Sequence, residues 1–354
     1  MSDGVVFEDL GGWPGVIGRL MQRTDLTAGE AAASLGRILE GGATPAQVAA
    51  FAVGLRMKGE TVEEINGLVA AMLEHAEPVP FAGLDGLIDT CGTGGDRSGS
   101  INVSTLAALV AAGAGARVCK HGNRAASSEC GSADVLEALG VAIEIGPDGI
   151  ARCLDEAGMA FCFAPRFHPA LRHAGPVRRE LGVPTVFNFL GPLANPARVR
   201  RQVIGVSASA MAAKMMGVLA ARGAVRALVV HGHDGLDELS TTGPSTVLDL
   251  VDGDVRTYEV DPAGLGLDLA SPEALRGGDA TRNAGVVRRV LAGERGPHRD
   301  IALLNAAAAI VVAGMAADIE AGLSLAGSAV DDGSAARVLE RLVAASNAAA
   351  TSGP

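Results

Sequence analysis

Residues Asp89 to Gly140 read DTCGTGGDRSGSINVSTLAALVAAGAGARVCKHGNRAASSECGSADVLEALG, and this stretch decides the fold. It holds two loops rich in glycine and hydroxyl side chains. Each follows a short apolar run and leads into a helical pattern. Gly86-Leu87-Ile88 reads as a buried strand. Gly92, Gly94 and Gly95 then form a turn without Cβ atoms, so backbone N–H groups can close on a ligand. Asp96 adds a carboxylate. Asn102, Ser104 and Thr105 lead into the apolar run Leu106–Val110, a helix whose start offers N–H groups and hydroxyls to an anion.

The second loop, Lys120 to Ser128, carries two cations, a glycine, an amide and two hydroxyls, with no large apolar side chain. The helix after it is expected to start near Ser132 as N-cap, with Asp134 in its first turn and Gly140 past its end. Both loops fall at the carboxyl ends of strands, where open α/β sheets bind ligands. Together they read as a polyphosphate cradle. A Walker loop needs GxxxxGK[ST], which is absent, and GxGxxG fails because Arg97 stands at the third glycine position.

Outward from this stretch the chain divides by pattern. Trp13 to Glu77 shows helices only. Thr27 before Glu30 marks one helix start, Gly41-Gly42 a break, Thr44-Pro45 a second start, and Thr61 with Glu64 a capping box. Pro78 and Pro80 end this unit. From Leu84 strands and helices alternate, the mark of a mainly parallel sheet. The expected strands are Leu87–Asp89, Arg117–Lys120, Met159–Ala164, Val203–Val206, Arg226–His231, Thr246–Val251 and Arg256–Val260. Helices are expected at Met211–Arg222 and Ala284–Leu291, with a closing pair at Asp300–Ala321 and Ser334–Ala345. The fold class is α/β: a mainly parallel central sheet flanked by helices, with a small all-helical domain. The division is 1–81 helical, 82–346 α/β and 347–354 a disordered tail.

Composition narrows the function. The 354 residues allow ample core, but aromatics are only 3%, so helices must pack through small side chains. A net charge of −11 argues against nucleic acid as a partner, and local cations in an acidic chain suggest capture of a small anion. The five cysteines contain no CxxC pair, which suggests reduced cytosolic thiols acting as small space-fillers. The N-terminal MSDGVVFEDLGG has no basic or apolar targeting pattern, and the apolar run Ala306 to Ala317 is too short for a bilayer. A cytoplasmic protein without a membrane partner is expected.

The motifs CGTGGD, NVST, KHGNRAASS with GSADVLEALG, FAPRFHPALRHAGPVRRELG, FNFLGPLANP and HGHDGLDE resemble the anthranilate phosphoribosyltransferase family of tryptophan biosynthesis. The resemblance covers nearly the whole chain. It implies a nucleoside phosphorylase/phosphoribosyltransferase-like two-domain fold in which part of 168–200 returns to the helical domain. It implies two small-molecule substrates, 5-phosphoribosyl 1-diphosphate and anthranilate, with Mg²⁺ as cofactor and a homodimer as the assembly. By that resemblance Gly92, Gly95, Asp96, Ser100, Asn102, Val103, Ser104 and Thr105 hold the donor. Lys120, His121, Gly122, Asn123, Arg124, Ala125, Ala126, Ser127, Ser128 and Ser132 complete its site. Arg178, Asn123 and Gly92 take anthranilate, and Ser104, Asp237 and Glu238 take the metal.

The residue types fit these roles. Adjacent carboxylates such as Asp237-Glu238 are usually just solvated, but pyrophosphate departure calls for a divalent cation, and Mg²⁺ takes one or two carboxylates with phosphates and water. His231 and His233 have H-x-H spacing but lack soft partners for zinc. Arginine recognises carboxylates through a bidentate fork, which suits Arg178, while Arg172 and Arg179 read as surface charges. His168 either lines the acceptor channel or is structural. An aryl amine is neutral at pH 7, so no general base is assigned, and His121 reads as structural. Two rivals share the fold: a pyrimidine nucleoside phosphorylase-like enzyme and a non-enzymatic nucleic-acid-binding paralogue.

Overall fold

The computed structural model describes residues 5–79, 86–125 and 129–351. The boundary expected between 81 and 82, and Ala126, Ser127 and Ser128 of the second loop, lie outside them.

The chain begins with helices α1 (Gly12–Met21), α2 (Ala28–Leu39), α3 (Pro45–Lys58) and α4 (Val62–Glu74). Three of these start at capping boxes, Thr27/Glu30, Thr44/Gln47 and Thr61/Glu64, with Pro45 inside the start of α3. Each box satisfies N–H groups that the helix cannot, at about 1 kcal/mol per cap. Glu64 does more than cap. Its buried carboxylate also accepts from Leu26 N at 2.9 Å and Lys58 Nζ at 2.8 Å, tying the entry of α2 to the exit of α3.

Seven strands follow: β1 (Leu87–Gly92), β2 (Arg117–Gly122), β3 (Met159–Phe163), β4 (Arg201–Gly205), β5 (Arg226–Gly232), β6 (Ser245–Val251) and β7 (Asp254–Val260). Their order is β3-β2-β1-β4-β5-β6-β7. The first five in that order are parallel, and β6 and β7 are added antiparallel, β6 after the long 233–244 connection and β7 through a tight turn. The crossovers are helical: α5 (Val103–Gly113) after β1, then α6 (Ser132–Ala138) and α7 (Pro147–Ala157) after β2. Short helices α8 (Ala164–Phe167), α9 (Gly175–Leu181) and α10 (Phe187–Leu193) precede β4, and α11 (Ser209–Ala221) follows it. After β7 come α12 (Ala280–Leu291), α13 (Pro297–Val312), α14 (Ile319–Asp331) and α15 (Ser334–Thr351).

Alternation along the strands separates two cores, as the period of two requires. Val203, Leu228 and Val230 face a core shared with α5, α7, α13 and α15. Ile204, Ala227 and Val229 face the other, built from α1–α4 together with Ala174, Val177, Phe187, Phe189 and Leu190 of the segment before β4. The helical N-terminus and the 174–194 segment therefore share one hydrophobic core on one face of the sheet.

Two expectations at the C-terminal end need correction. The closing pair is three helices, because the run from Asp300 breaks at Gly314 (φ +80°) and restarts with the Asp318 side chain accepting from Ala321 N at 2.9 Å. The tail expected to be disordered from 347 is helical through Thr351. Its Asn347 side chain donates to Gly140 O at 2.8 Å, and Ser346 Oγ accepts from Ala142 N at 3.1 Å. No helix among the described residues is long and apolar enough to cross a membrane. All five cysteines are buried thiols, with Cys119 and Cys162 sulfurs 3.5 Å apart between β2 and β3.

Candidate active site

After β1 the chain crosses to β2 on one side, and β4 lies on the other. This reversal opens a crevice at the carboxyl ends of β1 and β4. The β5–β6 connection folds over it. A Cβ at Gly92, the last residue of β1, would stand 2.2 Å from Asp237 Oδ2, and one at Gly205, the last of β4, would stand 1.6 Å from Asp237 O. Only glycine lets the turn come this close. Within the connection, Asp234 accepts from Leu236 N at 3.1 Å, Ser240 Oγ at 2.7 Å and Thr242 Oγ1 at 2.6 Å, which fixes the curl. From behind, Asn305 of α13 bonds both backbone groups of Leu239 at 2.9 Å.

The two carboxylates meet the first loop directly. Asp237 Oδ2 accepts from Gly94 N at 2.6 Å, and Glu238 Oε1 accepts from Ser104 N at 3.1 Å in the first turn of α5. Burial, and then the neighbouring Asp96 carboxyl, raise the Asp237 pKa to about 7. Burial and the Asp237 charge push Glu238 well up, while Lys120 pulls it down. Lys120 Nζ donates to Ser104 Oγ at 3.1 Å and to Thr90 O. The carboxyls of Asp96, Asp237 and Glu238 thus act on one another, while the Lys120 ammonium acts on Glu238 and bonds the Ser104 hydroxyl. Such a set favours a further cation.

The second loop is ordered by one acid. Asp134 Oδ2 accepts from Gly131 N at 2.8 Å and Ala125 N at 2.9 Å, and Oδ1 accepts from Arg124 Nη1 at 3.1 Å. Gly131, not Ser132, is the N-cap of α6, because Asp134 reaches back and supplies the capping carboxylate. Ser132 Oγ donates instead to Asn123 O at 3.2 Å. The two loops are laced together by amides. Asn102 Nδ2 donates to Cys130 O, and its Oδ1 accepts from Asn283 Nδ2, both at 3.0 Å. Behind them the fully buried Asp89 accepts from His121 N at 3.0 Å and Asn195 Nδ2 at 2.8 Å.

Arg178 stands on α9, partly buried, with its guanidinium 5.6 Å from the Phe187 ring centroid. Burial alone lowers its pKa, and among the described residues no acidic side chain pairs with it. Helix α10 links it to the loops, since it carries Phe187 at one end and accepts from His121 Nδ1 at Gly191 O, 3.0 Å. His168 is buried, 5.2 Å from the His121 ring, with Nε2 on Ala194 O at 2.8 Å, so its position is that of a structural residue. Burial lowers the His121 pKa to about 3. His231 and His233 bond Val206 O and Thr246 Oγ1, which takes a ring nitrogen of each away from any shared metal.

The structure thus brings Gly92, Asp96, Ser104, Lys120, Asp237 and Glu238 into one cluster, with Gly95 (φ +82°) and Ser100 continuing the first loop. Several predicted residues sit otherwise than expected. Lys120, His121 and Gly122 end strand β2 rather than open a loop, and Lys120 is 1% exposed. Val103 turns its side chain into the core, while the buried Thr105 Oγ1 has no hydrogen-bond partner. Arg124 is engaged with Asp134 and Glu137. Arg172 and Arg179 are exposed, as expected. Sequence reasoning missed Asp89, Asn195, Gly205, Asn283 and Asn305. A lone asparagine inside IALLNAAAAIVV was the signal for the last.

Fold and site define a glycosyltransferase built from a helical bundle and an α/β domain. The family model "Glycosyl transferase family, a/b domain" matches residues 84–336, and "Glycosyl transferase family, helical bundle domain" matches 14–76. The chain is 53% identical over 332 residues to the anthranilate phosphoribosyltransferase of Chloroflexus aggregans, covering 93% of this chain and 97% of that protein. It is 54% identical over 338 residues to that of an Arthrobacter species, covering 94% and 95%. Among solved structures, the Thermus thermophilus anthranilate phosphoribosyltransferase superposes with a TM-score of 0.88 at 43% identity, over 94% of this chain and 99% of that one. The Saccharomyces cerevisiae enzyme in complex with PRPP and Mg superposes with a TM-score of 0.87 at 27% identity, over 95% and 98%. The chain belongs to the anthranilate phosphoribosyltransferase family.

Proposed function

We propose that this chain transfers the phosphoribosyl group of 5-phosphoribosyl 1-diphosphate to the amine of anthranilate. The products are N-(5′-phosphoribosyl)anthranilate and pyrophosphate, the second step of tryptophan synthesis from chorismate. The observation that carries the reading is the Asp237–Glu238 turn pressed onto the glycine loop, with Ser104 and Lys120 at its edge. Asp237, Glu238 and Ser104 would hold Mg²⁺. Bound there, the ion supplies positive charge to the departing pyrophosphate.

The remaining chemistry belongs to the chain's own groups. Displacement at an anomeric carbon passes through an oxocarbenium-like state, so the leaving group gains negative charge. The amide of Gly95 and the positive end of α5 stabilise that charge, and one preorganised donor is worth ~3 kcal/mol of barrier. Lys120 holds Ser104 Oγ and offsets the Glu238 charge from below. Asn123 and the hydroxyls of the second loop bind the ribose and its phosphate. Arg178 takes the anthranilate carboxylate in a bidentate pair, and Phe187 beneath it keeps the guanidinium plane fixed. The neutral aryl amine then faces C1 without a general base, and orientation does the rest.

In this reading the helical domain, 1–81 completed by part of 168–200, supplies the acceptor side, and 82–346 supplies the donor and metal side. The protein works as a soluble cytoplasmic homodimer joined through its helical domain. Met21 on α1 and Met57 on α3, 79% and 76% exposed, are the apolar side chains that support that surface. The test is loss of anthranilate fluorescence that requires both the donor and Mg²⁺. No consumption by the folded chain with both present would reject the acceptor. Phosphate-dependent cleavage of thymidine or uridine would favour the phosphorylase rival.

A further inference from the structure

Every residue from Ile301 to Val312 of α13 is buried, and Asn305 is the one polar side chain in that run. A buried amide left without partners is costly, so its partners show what it is for. Asn305 Oδ1 accepts from Leu239 N and Nδ2 donates to Leu239 O, both at 2.9 Å, as a neighbouring strand would. The second Nδ2 proton goes to Ile301 O of its own helix, also at 2.9 Å, which fixes the amide's orientation. Leu239 directly follows Glu238. The peptide planes on both sides of Leu239 are therefore held by one side chain from a helix 66 residues away in sequence.

The opposite face of the same turn rests on backbone, with Asp237 over Gly92 and Gly205. The turn is gripped between α13 and the ends of β1 and β4. We propose that Asn305 is a positioning residue for the divalent cation: it sets the backbone from which Asp237 and Glu238 reach the ion. This rests on the metal assignment made above. Its pairing also explains why an amide is kept in the otherwise apolar run Ile301–Val312, where leucine or alanine would pack without needing partners.

The probe is Mn²⁺ in place of Mg²⁺, titrated by electron paramagnetic resonance of the free ion against protein saturated with 5-phosphoribosyl 1-diphosphate. Removing a partner of this kind weakens metal affinity about 10- to 100-fold. Asn305→Leu is expected to raise the Mn²⁺ Kd and the half-saturating Mg²⁺ by about tenfold. The acceptor KM at saturating metal should stay within about twofold. Asn305→Ser, smaller and still able to make one of the bonds, covers the case in which the leucine variant does not fold, and should show a weaker shift in the same direction. A lowered melting temperature with an unchanged Mn²⁺ Kd in the variant that folds would make Asn305 a core residue only and overturn the proposal. Glu238→Gln runs alongside. If wild type and Glu238→Gln bind Mn²⁺ alike, the metal assignment itself fails and takes this proposal with it.

Discussion

Asp237 and Glu238 sit in a turn fixed on every side, whereas Arg178 stands on a two-turn helix and touches one ring. The acidic turn is held by the glycine ends of β1 and β4, by the Asp234 hydrogen bonds, by Gly94 and Ser104 N–H, and by Asn305. Arg178 has Phe187 at 5.6 Å and no acidic partner among the described residues. Under the proposed roles of the two regions, the difference follows what each side must do. Charge develops on the donor side during reaction, and donors there help only if they need not move. The acceptor side needs one carboxylate recognised, which a single fork achieves.

The largest effect should come from removing the acidic turn. Asp237→Asn with Glu238→Gln is expected to lower turnover about a thousandfold, and metal titration should no longer saturate. An unchanged titration would break the comparison at its root. Next is Gly92→Ala, whose new methyl falls on the Asp237 carboxylate. A displacement of this kind costs about a hundredfold in rate. Near-normal activity would show that the turn is less tightly gripped than its contacts suggest. Arg178→Ala removes a charge-assisted pair worth about 2 kcal/mol, or roughly thirtyfold in acceptor KM. Donor KM should hold, and equal shifts in both would deny the two sides their separate roles.

The smallest expected effect concerns stability. His121 is buried with a pKa near 3, below the ordinary imidazole value. Between the two values the unfolded chain binds a proton that the folded chain does not. The stabilisation is therefore complete above about pH 6.5 and lost as pH falls, by ~1.4 kcal/mol per unit. His121→Asn should flatten the fall in melting temperature between about pH 6.5 and 5 relative to wild type. Parallel curves would remove His121 from that role.

Features written in adjacent residues were legible. The Thr27/Glu30 and Thr61/Glu64 boxes and the glycine loop each lie within a few positions, and the parallel sheet follows from alternating strand and helix. Asn195, Asn283 and Asn305 were not, because each gains meaning from a partner 106, 181 or 66 residues away. Lys120 misled for a different reason. Its neighbours have loop composition, yet the strand continues through Gly122 because parallel pairing with β3 carries it there. The residues from Asn347 were expected to be disordered as chain ends commonly are, but Asn347 and Ser346 reach the 140–142 segment and Ala349 packs against the core.

The five buried cysteines supply a built-in set of clocks. Burial raises the thiol of Cys130 to about 11 and that of Cys153 to about 12, and pushes Cys91 well up, so a thiol reagent can label them only when the surrounding structure opens. Their places report different regions: Cys91 in the strand that feeds the glycine loop, Cys130 beside the second loop, Cys153 in α7 away from the cleft. Labelling rates read by mass spectrometry would therefore map, without any introduced probe, which parts of the sheet breathe and which a bound phosphoribosyl donor quiets.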